Sequence, residues 1–315
     1  MANRVAIQVP LYQKEHLELG KVVGQGAFGK VCVARFKDPS LPLVAIKQFH
    51  TEQWKAVTQQ DRDKAYAELL KVAVMRHANI VMLVGMVRDA LPWLIFEYMP
   101  GGNLKDFVST PNRPLTGDIL YGFCRDICNG MEYLHKYQFL HRDLAARNIL
   151  LNGNIAKIAD LGLTSIIRPG TDGRYTVDNF AIHHAAREVI FDKVYQKESD
   201  VWSFGVLMFE MFSRGRTPYG SQATKEQIYD YVQRGVTPVQ LQPSLFSKSV
   251  SEIMAIILKL HRAERPTFQT LATYFTRVVP VSPALPANAD PNAVFQKFSN
   301  FHRSRAGGQL YAVKN

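Results

Sequence analysis

Only three cysteines occur in 315 residues, too few for a disulfide framework. Cys32 falls in a stretch of strand character, and Cys124 and Cys128 share one face of an expected helix. All three read as core residues in a reducing compartment. Long apolar runs are also missing: no stretch approaches the roughly 20 residues needed to cross a bilayer, so no membrane span is expected. The opening Met1-Ala-Asn-Arg-Val5 shows neither a secretory apolar core nor a glycine for myristate. A cytoplasmic location is the expectation. Acidic residues are outnumbered, with 38 Lys and Arg against 27 Asp and Glu and a formal net charge of +11. The basic residues are nevertheless scattered, with no arginine-rich block, so no nucleic-acid partner is expected. A solvated surface plus a basic pocket for phosphates accounts for the balance.

What is present is ordinary for a soluble globular chain: 47% hydrophobic and 21% charged residues. The length suffices for one large core or two linked lobes. The chemistry concentrates in His141-Arg-Asp-Leu-Ala-Ala-Arg-Asn148 and Asp160-Leu-Gly162. Asp143 is an acid suited to accept a hydroxyl proton, and Asn148 and Asp160 are oxygen ligands of the kind magnesium takes. Between them, Ile149-Leu-Leu151 and Ile155-Ala-Lys-Ile158 read as short strands joined by an Asn152-Gly-Asn154 turn. Such a hairpin holds Asn148 and Asp160 at one edge. This stretch resembles the catalytic and metal-binding loops of eukaryotic protein kinases. Ala145-Ala-Arg147 resembles the tyrosine-kinase version, where serine/threonine kinases usually carry Lys-Pro-Glu.

Upstream, Gly20-Lys-Val-Val-Gly24-Gln-Gly26-Ala-Phe28-Gly29-Lys-Val31-Cys-Val33 reads as two strands joined by a glycine-rich turn, whose backbone can approach phosphate oxygens. The glycine spacing also matches a dinucleotide fingerprint. That reading loses, because a strand with Val31 and Val33 follows where a Rossmann turn needs a helix, and because Val44-Ala-Ile-Lys47 comes next. Lys47 follows an apolar run in which an unpaired ammonium is costly. By resemblance its partner is Glu68, in the helix-forming stretch before His77-Ala-Asn-Ile80.

The resemblance implies an α+β, two-lobed protein kinase fold: a small β-rich N-lobe with one key helix and a larger helical C-lobe. It places a leader at 1–13 and the kinase domain at 14–279 (N-lobe 14–97, hinge 97–102, C-lobe 103–279). Residues 280–315 form a Pro/Ala-rich linker and basic tail. It implies ATP and Mg2+ as cofactors, with Gly24, Gly26, Phe28, Gly29 and Lys47 at the phosphates. Val31, Ala45 and Leu150 would sandwich adenine, backbone groups of Glu97 to Met99 would hydrogen-bond it, and Phe96 would control the back pocket. Asn148 and Asp160 would hold the metal, and Asp143 would orient and deprotonate the substrate hydroxyl with Arg147 beside it. Val72, Leu83, His141 and Leu161 match the stack that bridges the lobes, Leu161 replacing the usual phenylalanine. Asp200 would anchor the catalytic-loop backbone.

In the polar segment 163–188, Tyr175 is the first candidate for regulatory phosphorylation, with Thr171 and Thr176 as alternatives and Arg142 as the phosphate's partner. Its end departs from the family: Ala181-Ile-His-His-Ala-Ala-Arg187-Glu188 lacks the usual prolines and the lysine- and tryptophan-containing run. His183 and His184 read there as substrate-contact or surface residues. Glu188 remains, with Arg265 its expected buried partner. The tail is expected to be disordered or docked on a lobe, and Tyr311 is a candidate site for a phosphotyrosine-reading adaptor. The expected function is transfer of the ATP γ-phosphoryl group to protein hydroxyls, tyrosine first, in signalling. A serine/threonine or dual-specificity kinase and a non-catalytic kinase-fold scaffold remain alternatives, as does the choice between a fragment and a stand-alone enzyme.

Overall fold

Alternating apolar residues build a sheet in the first part of the chain. The computed structural model describes residues 7–26, 29–49, 73, 75–87, 93–161, 165–166, 175–176, 180–279, 290–305 and 310–313. They divide into two units, Met1–Met99 with Ser282–Asn315, and Pro100–Val281.

In the first unit the strands are β1 (Ile7–Tyr12), β2 (Leu17–Gly26), β3 (Gly29–Phe36), β4 (Val44–Phe49), β5 (Leu83–Val87) and β6 (Trp93–Glu97). With the C-terminal strand Leu310–Val313 they form one seven-stranded sheet, ordered C-terminal strand, β1, β5, β6, β4, β3, β2. The period-2 pleat of β4 sends Val44 and Ile46 to one face. There they join Tyr12, Ala34, Phe36, Val84 and Ile95 in a core cluster. Ala45 and Lys47, half-buried, take the opposite face.

The C-terminal helix Pro291–Arg305 covers the first of these faces, burying Phe298 and Phe301 in the same cluster. The Phe36 ring lies 4.9 Å from Tyr12, 5.6 Å from Phe298 and 5.4 Å from Phe301. These centroid distances suit edge-on and tilted aromatic packing. The Tyr12 hydroxyl donates to the Phe298 carbonyl at 3.2 Å. Thus three elements outside residues 14–279 complete this unit. The expected leader contains β1, which pairs parallel to β5 and antiparallel to the C-terminal strand, Val9 opposite Tyr311. The tail docks on the sheet, one of the two fates its sequence suggested.

The second unit is mainly helical. Asn103 caps α1 (Leu104–Ser109), its side chain accepting from the Asp106 amide, and Thr116 caps α2 (Gly117–Lys136) through the Ile119 amide. The apolar stripe of α2 is buried at Leu120, Phe123, Ile127, Met131 and Leu134, together with Cys124 and Cys128, and half-buried at Ile119. After α3 (Arg187–Phe191) comes α4 (Lys197–Phe212), buried on every side from Ser199 to Met211. A helix so enclosed is the unit's centre, and the loop that follows the short strand β7 (Phe139–Leu140) is anchored on it through Asp200.

Candidate active site

The candidate catalytic residues lie in the second unit, around a hairpin. β8 (Ile149–Asn152) pairs antiparallel with β9 (Ile155–Ile158), Ile149 opposite Ile158. Gly153 takes a φ of 59° in the turn, the left-handed region that glycine enters without steric cost. This register sets Asn148 beside Ala159, whose amide donates to the Asn148 carbonyl at 2.8 Å. Asp160 follows immediately. The hairpin expected from sequence is therefore present, with both metal-ligand candidates at its open end.

The side-chain amide of Asn148 donates to the Asp143 carbonyl at 2.7 Å and to Asp143 Oδ2 at 2.8 Å. Both amide hydrogens are thereby engaged by one residue, which orients the amide oxygen, an acceptor only, elsewhere. Arg147 pairs with Asp143 Oδ1 from the solvent side. Asp143 is thus held by its neighbours on the loop while its carboxylate stays partly exposed.

His141 ties the two loops together. The Asp143 amide donates to its Nδ1 at 3.2 Å, so the ring proton resides on Nε2. That nitrogen lies 3.2 Å from the Ala159 carbonyl, next to Asp160. The tautomer is assigned here from the hydrogen-bond network. Arg142 and Asp160 have φ of 71° and 52°, a region costly for residues with a Cβ. Such strain persists where the surroundings over-determine it.

For Arg142 the restraint is Asp200. Its Oδ1 accepts from the Arg142 amide at 3.0 Å and the Tyr195 hydroxyl at 2.9 Å. Its Oδ2 accepts from the His141 amide at 3.0 Å and lies 2.9 Å from His135 Nε2. Burial pushes the Asp200 carboxyl up, but His135, His141 and the Arg142 amide outweigh it, and the group sits below its ordinary value. Asp200 thus anchors the catalytic-loop backbone, as its position in the chain suggested.

Magnesium prefers one or two carboxylates with waters and substrate phosphates to an all-protein cage. Among the described residues no group of three His, Cys, Asp or Glu could hold a metal ion. One carboxylate, Asp160, and one oriented amide oxygen, Asn148, fit the magnesium pattern instead.

The residues expected to meet the nucleotide's phosphates lie in the first unit. β2 and β3 form the expected hairpin, Gly24 opposite Val31 and Gly26 opposite Gly29. Val31 stands opposite Lys47, and Ala45 opposite Phe96, and directly opposed residues share a face. Val31, Ala45, Lys47 and Phe96 therefore line one side of the sheet, away from the tail helix. Phe96 packs there against Leu83 and Leu94. Ala45 is not fully buried as the apolar run implied, because alternation turns it to the face of Lys47. Glu97 spends its side chain on the Met82 amide, at 2.8 Å, which stiffens the start of the expected hinge. Phe28, Glu68, Val72 and Thr171 lie outside the described residues. Tyr175 and Thr176 pair as backbone with Tyr195 and Val194.

Sequence reasoning missed the role of His184. It is neither exposed nor in a strand: it ends a 3-10 turn, Ile182–His184, and is buried with Nε2 3.1 Å from Glu210 Oε2. Local pattern carried no signal for this contact, since Glu210 sits near the C-terminal end of α4, buried like the rest of that helix.

Residues 17–275 match the family model described as protein tyrosine and serine/threonine kinase. The chain is 31% identical over 293 residues to fibroblast growth factor receptor homolog 1 of Drosophila melanogaster, covering 84% of this chain and 38% of that protein. It is 32% identical over 317 residues to homolog 2 of the same species, covering 88% and 29%. A fibroblast growth factor receptor of Strongylocentrotus purpuratus is 30% identical over 298 residues, covering 86% and 29%. The chain spans less than two fifths of the length of these relatives.

Proposed function

The chain belongs to the protein tyrosine and serine/threonine kinase family, and from that premise we propose that it transfers the γ-phosphoryl group of ATP to tyrosine hydroxyls of protein substrates. The observation that supports this most is the Asp143–Asn148–Arg147 cluster at the open end of the β8–β9 hairpin. Asp143 keeps one carboxylate oxygen on Asn148 and the other on Arg147. That fixed, partly exposed acid is placed to orient an incoming hydroxyl and take its proton. Asn148 and Asp160 would hold magnesium, which would neutralise phosphate charge when bound. Lys47 would hold the α- and β-phosphates, with Gly24, Gly26, Phe28 and Gly29 over them. Val31, Ala45 and Leu150 would flank adenine, and Glu97 and Met99 would meet its edge.

The preference for tyrosine rests on Ala145-Ala-Arg147. Both alanines are buried, while Arg147 reaches the surface beside Asp143. An arginine there leaves the carboxylate approachable by a long, rigid phenol. Offering tyrosine, serine and threonine peptides together with magnesium ATP, and identifying the phosphorylated residue, tests the reading. Phosphotyrosine as the main product supports it. Phosphoserine or phosphothreonine alone would move the chain to the serine/threonine or dual-specificity reading, and no product to a kinase-fold scaffold.

Regulation through Tyr175, with Arg142 as the phosphate's partner and Leu161 tuning the switch, belongs to the same proposal. So does a phosphotyrosine-reading adaptor at Tyr311. No helix among the described residues is long and apolar enough to cross a membrane. The catalytic units are proposed to act in the cytoplasm in signalling, and the relatives named as growth factor receptors favour that setting.

A further inference from the structure

The segment where this chain departs most from its family, residues 181–187, is wired to the catalytic loop. Glu210 Oε2 accepts the Ala146 amide at 2.8 Å and lies 3.1 Å from His184 Nε2. Ala146 begins the 3-10 turn Ala146–Asn148 that carries Arg147 and Asn148. The Asn148 amide closes that turn on the Ala145 carbonyl at 2.9 Å, so moving Ala146 moves both side chains that flank Asp143. His184 is itself fixed at its carbonyl, which accepts from Ser203 Oγ at 2.9 Å on α4. Lys105 Nζ approaches the other oxygen, Oε1, only to 4.0 Å and from a partly exposed position.

We propose that Glu210 and His184 are positioning residues for phosphoryl transfer: Glu210 holds the Ala146 amide, and His184 fixes the rotamer of Glu210. This rests on the kinase reading above. The substrate-side turn 182–184 and the catalytic loop then behave as one rigid piece, and the departure from the family pattern is a substitution of struts. Three features support it. The carboxylate, the ring and the amide are all buried, where both the amide's hydrogen bond and the 3.1 Å contact of the ring nitrogen with the carboxylate, which lies off hydrogen-bond geometry, act more strongly than in water. One oxygen serves both partners, so loss of the ring frees Glu210 to rotate off the amide. Burial pushes the Glu210 carboxyl up, yet His184 and the Ala146 amide outweigh it and keep the group below its ordinary value, in the charged form the strut needs.

The test compares the wild-type protein with His184→Phe, His184→Gln and Glu210→Gln. Small misplacements of catalytic groups cost rate, on the order of 10- to 100-fold. His184→Phe and Glu210→Gln should lower kcat by roughly that factor with KM for ATP unchanged, as expected when transition-state geometry alone is lost. His184→Gln, whose amide can reach Glu210 with a donor, should retain most of kcat. Hydrogen exchange read on residues 141–150 should speed up in His184→Phe and stay near wild type in His184→Gln. Full kcat with unchanged exchange in His184→Phe would overturn the positioning role and leave the kinase reading standing. Absence of transfer by the wild-type protein would overturn the kinase reading itself and the positioning role with it. If Glu210→Gln does not fold, the two His184 variants decide the matter.

Discussion

Glu188 and Arg265, 77 residues apart, meet as a two-pronged ion pair at 2.7 and 3.0 Å, both side chains nearly inaccessible to solvent. The Ser199 hydroxyl donates to the same carboxylate at 2.7 Å, and the guanidinium also donates to the carbonyls of Lys259, Glu198 and Leu260. Few donors remain unmatched, the condition under which a buried pair holds.

Removing one partner strands the other charge. Arg265→Ala should therefore destabilise the second unit by about 3–5 kcal/mol, read from denaturant midpoints. Arg265→Lys should recover only part of it, because an ammonium cannot present the planar fork. A loss below about 1 kcal/mol, the range of exposed pairs, would contradict the buried geometry.

Acid should weaken the fold through three carboxylates. Burial pushes Glu188, Asp200 and Glu210 up, but in each case hydrogen bonds and positive partners outweigh it and the folded value is depressed. A depressed value gives stability that is present above the ordinary carboxylate range near ~4 and lost as pH falls through it. Asp126, raised by burial, contributes with the opposite sign. Urea midpoints should change little from pH 7 to about pH 5 and drop clearly as the pH falls from there to about 3. A flat profile would show that these contacts carry little stability.

The tail should be part of the folding unit. Phe298 sits in the same cluster as Phe36 and Ile46, so Phe298→Ala should cost about 3–5 kcal/mol, the usual loss for a buried phenylalanine. A chain ending at Val279 should melt earlier still, with its outer sheet face uncovered. Thermal denaturation checks both, and an unchanged melting temperature after truncation would show that the tail contributes nothing to stability.

Much of this was legible because it is local. The Asn152-Gly-Asn154 turn between two apolar runs dictates the hairpin, and the hairpin dictates where Asn148 and Asp160 stand. The glycine-rich turn between Val-bearing strands was equally readable. The two tail elements were harder. Phe295, Phe298 and Phe301 recur at helical spacing, but basic and polar neighbours and the preceding prolines hide the stripe. Strand β1 is short, and its partner Leu310–Val313 lies at the other end of the chain. His184 was misread for the same reason: its partner Glu210 lies on a helix whose all-round burial gives no hint of which face meets the segment. Contacts set by long-range packing leave no periodicity to read.

The most direct test of the account is turnover by the intact chain against Asp143→Asn, with magnesium ATP and a tyrosine peptide. An asparagine there keeps one acceptor oxygen for Asn148 or Arg147, and Asn148 also holds the backbone carbonyl at 2.7 Å, so the loop should largely keep its shape while the proton acceptor is lost. The account predicts phosphotyrosine from the wild-type chain and a fall in kcat of at least about 100-fold, the lower end of general-base contributions, with melting temperature and ATP binding preserved. Equal turnover by the two proteins would contradict it.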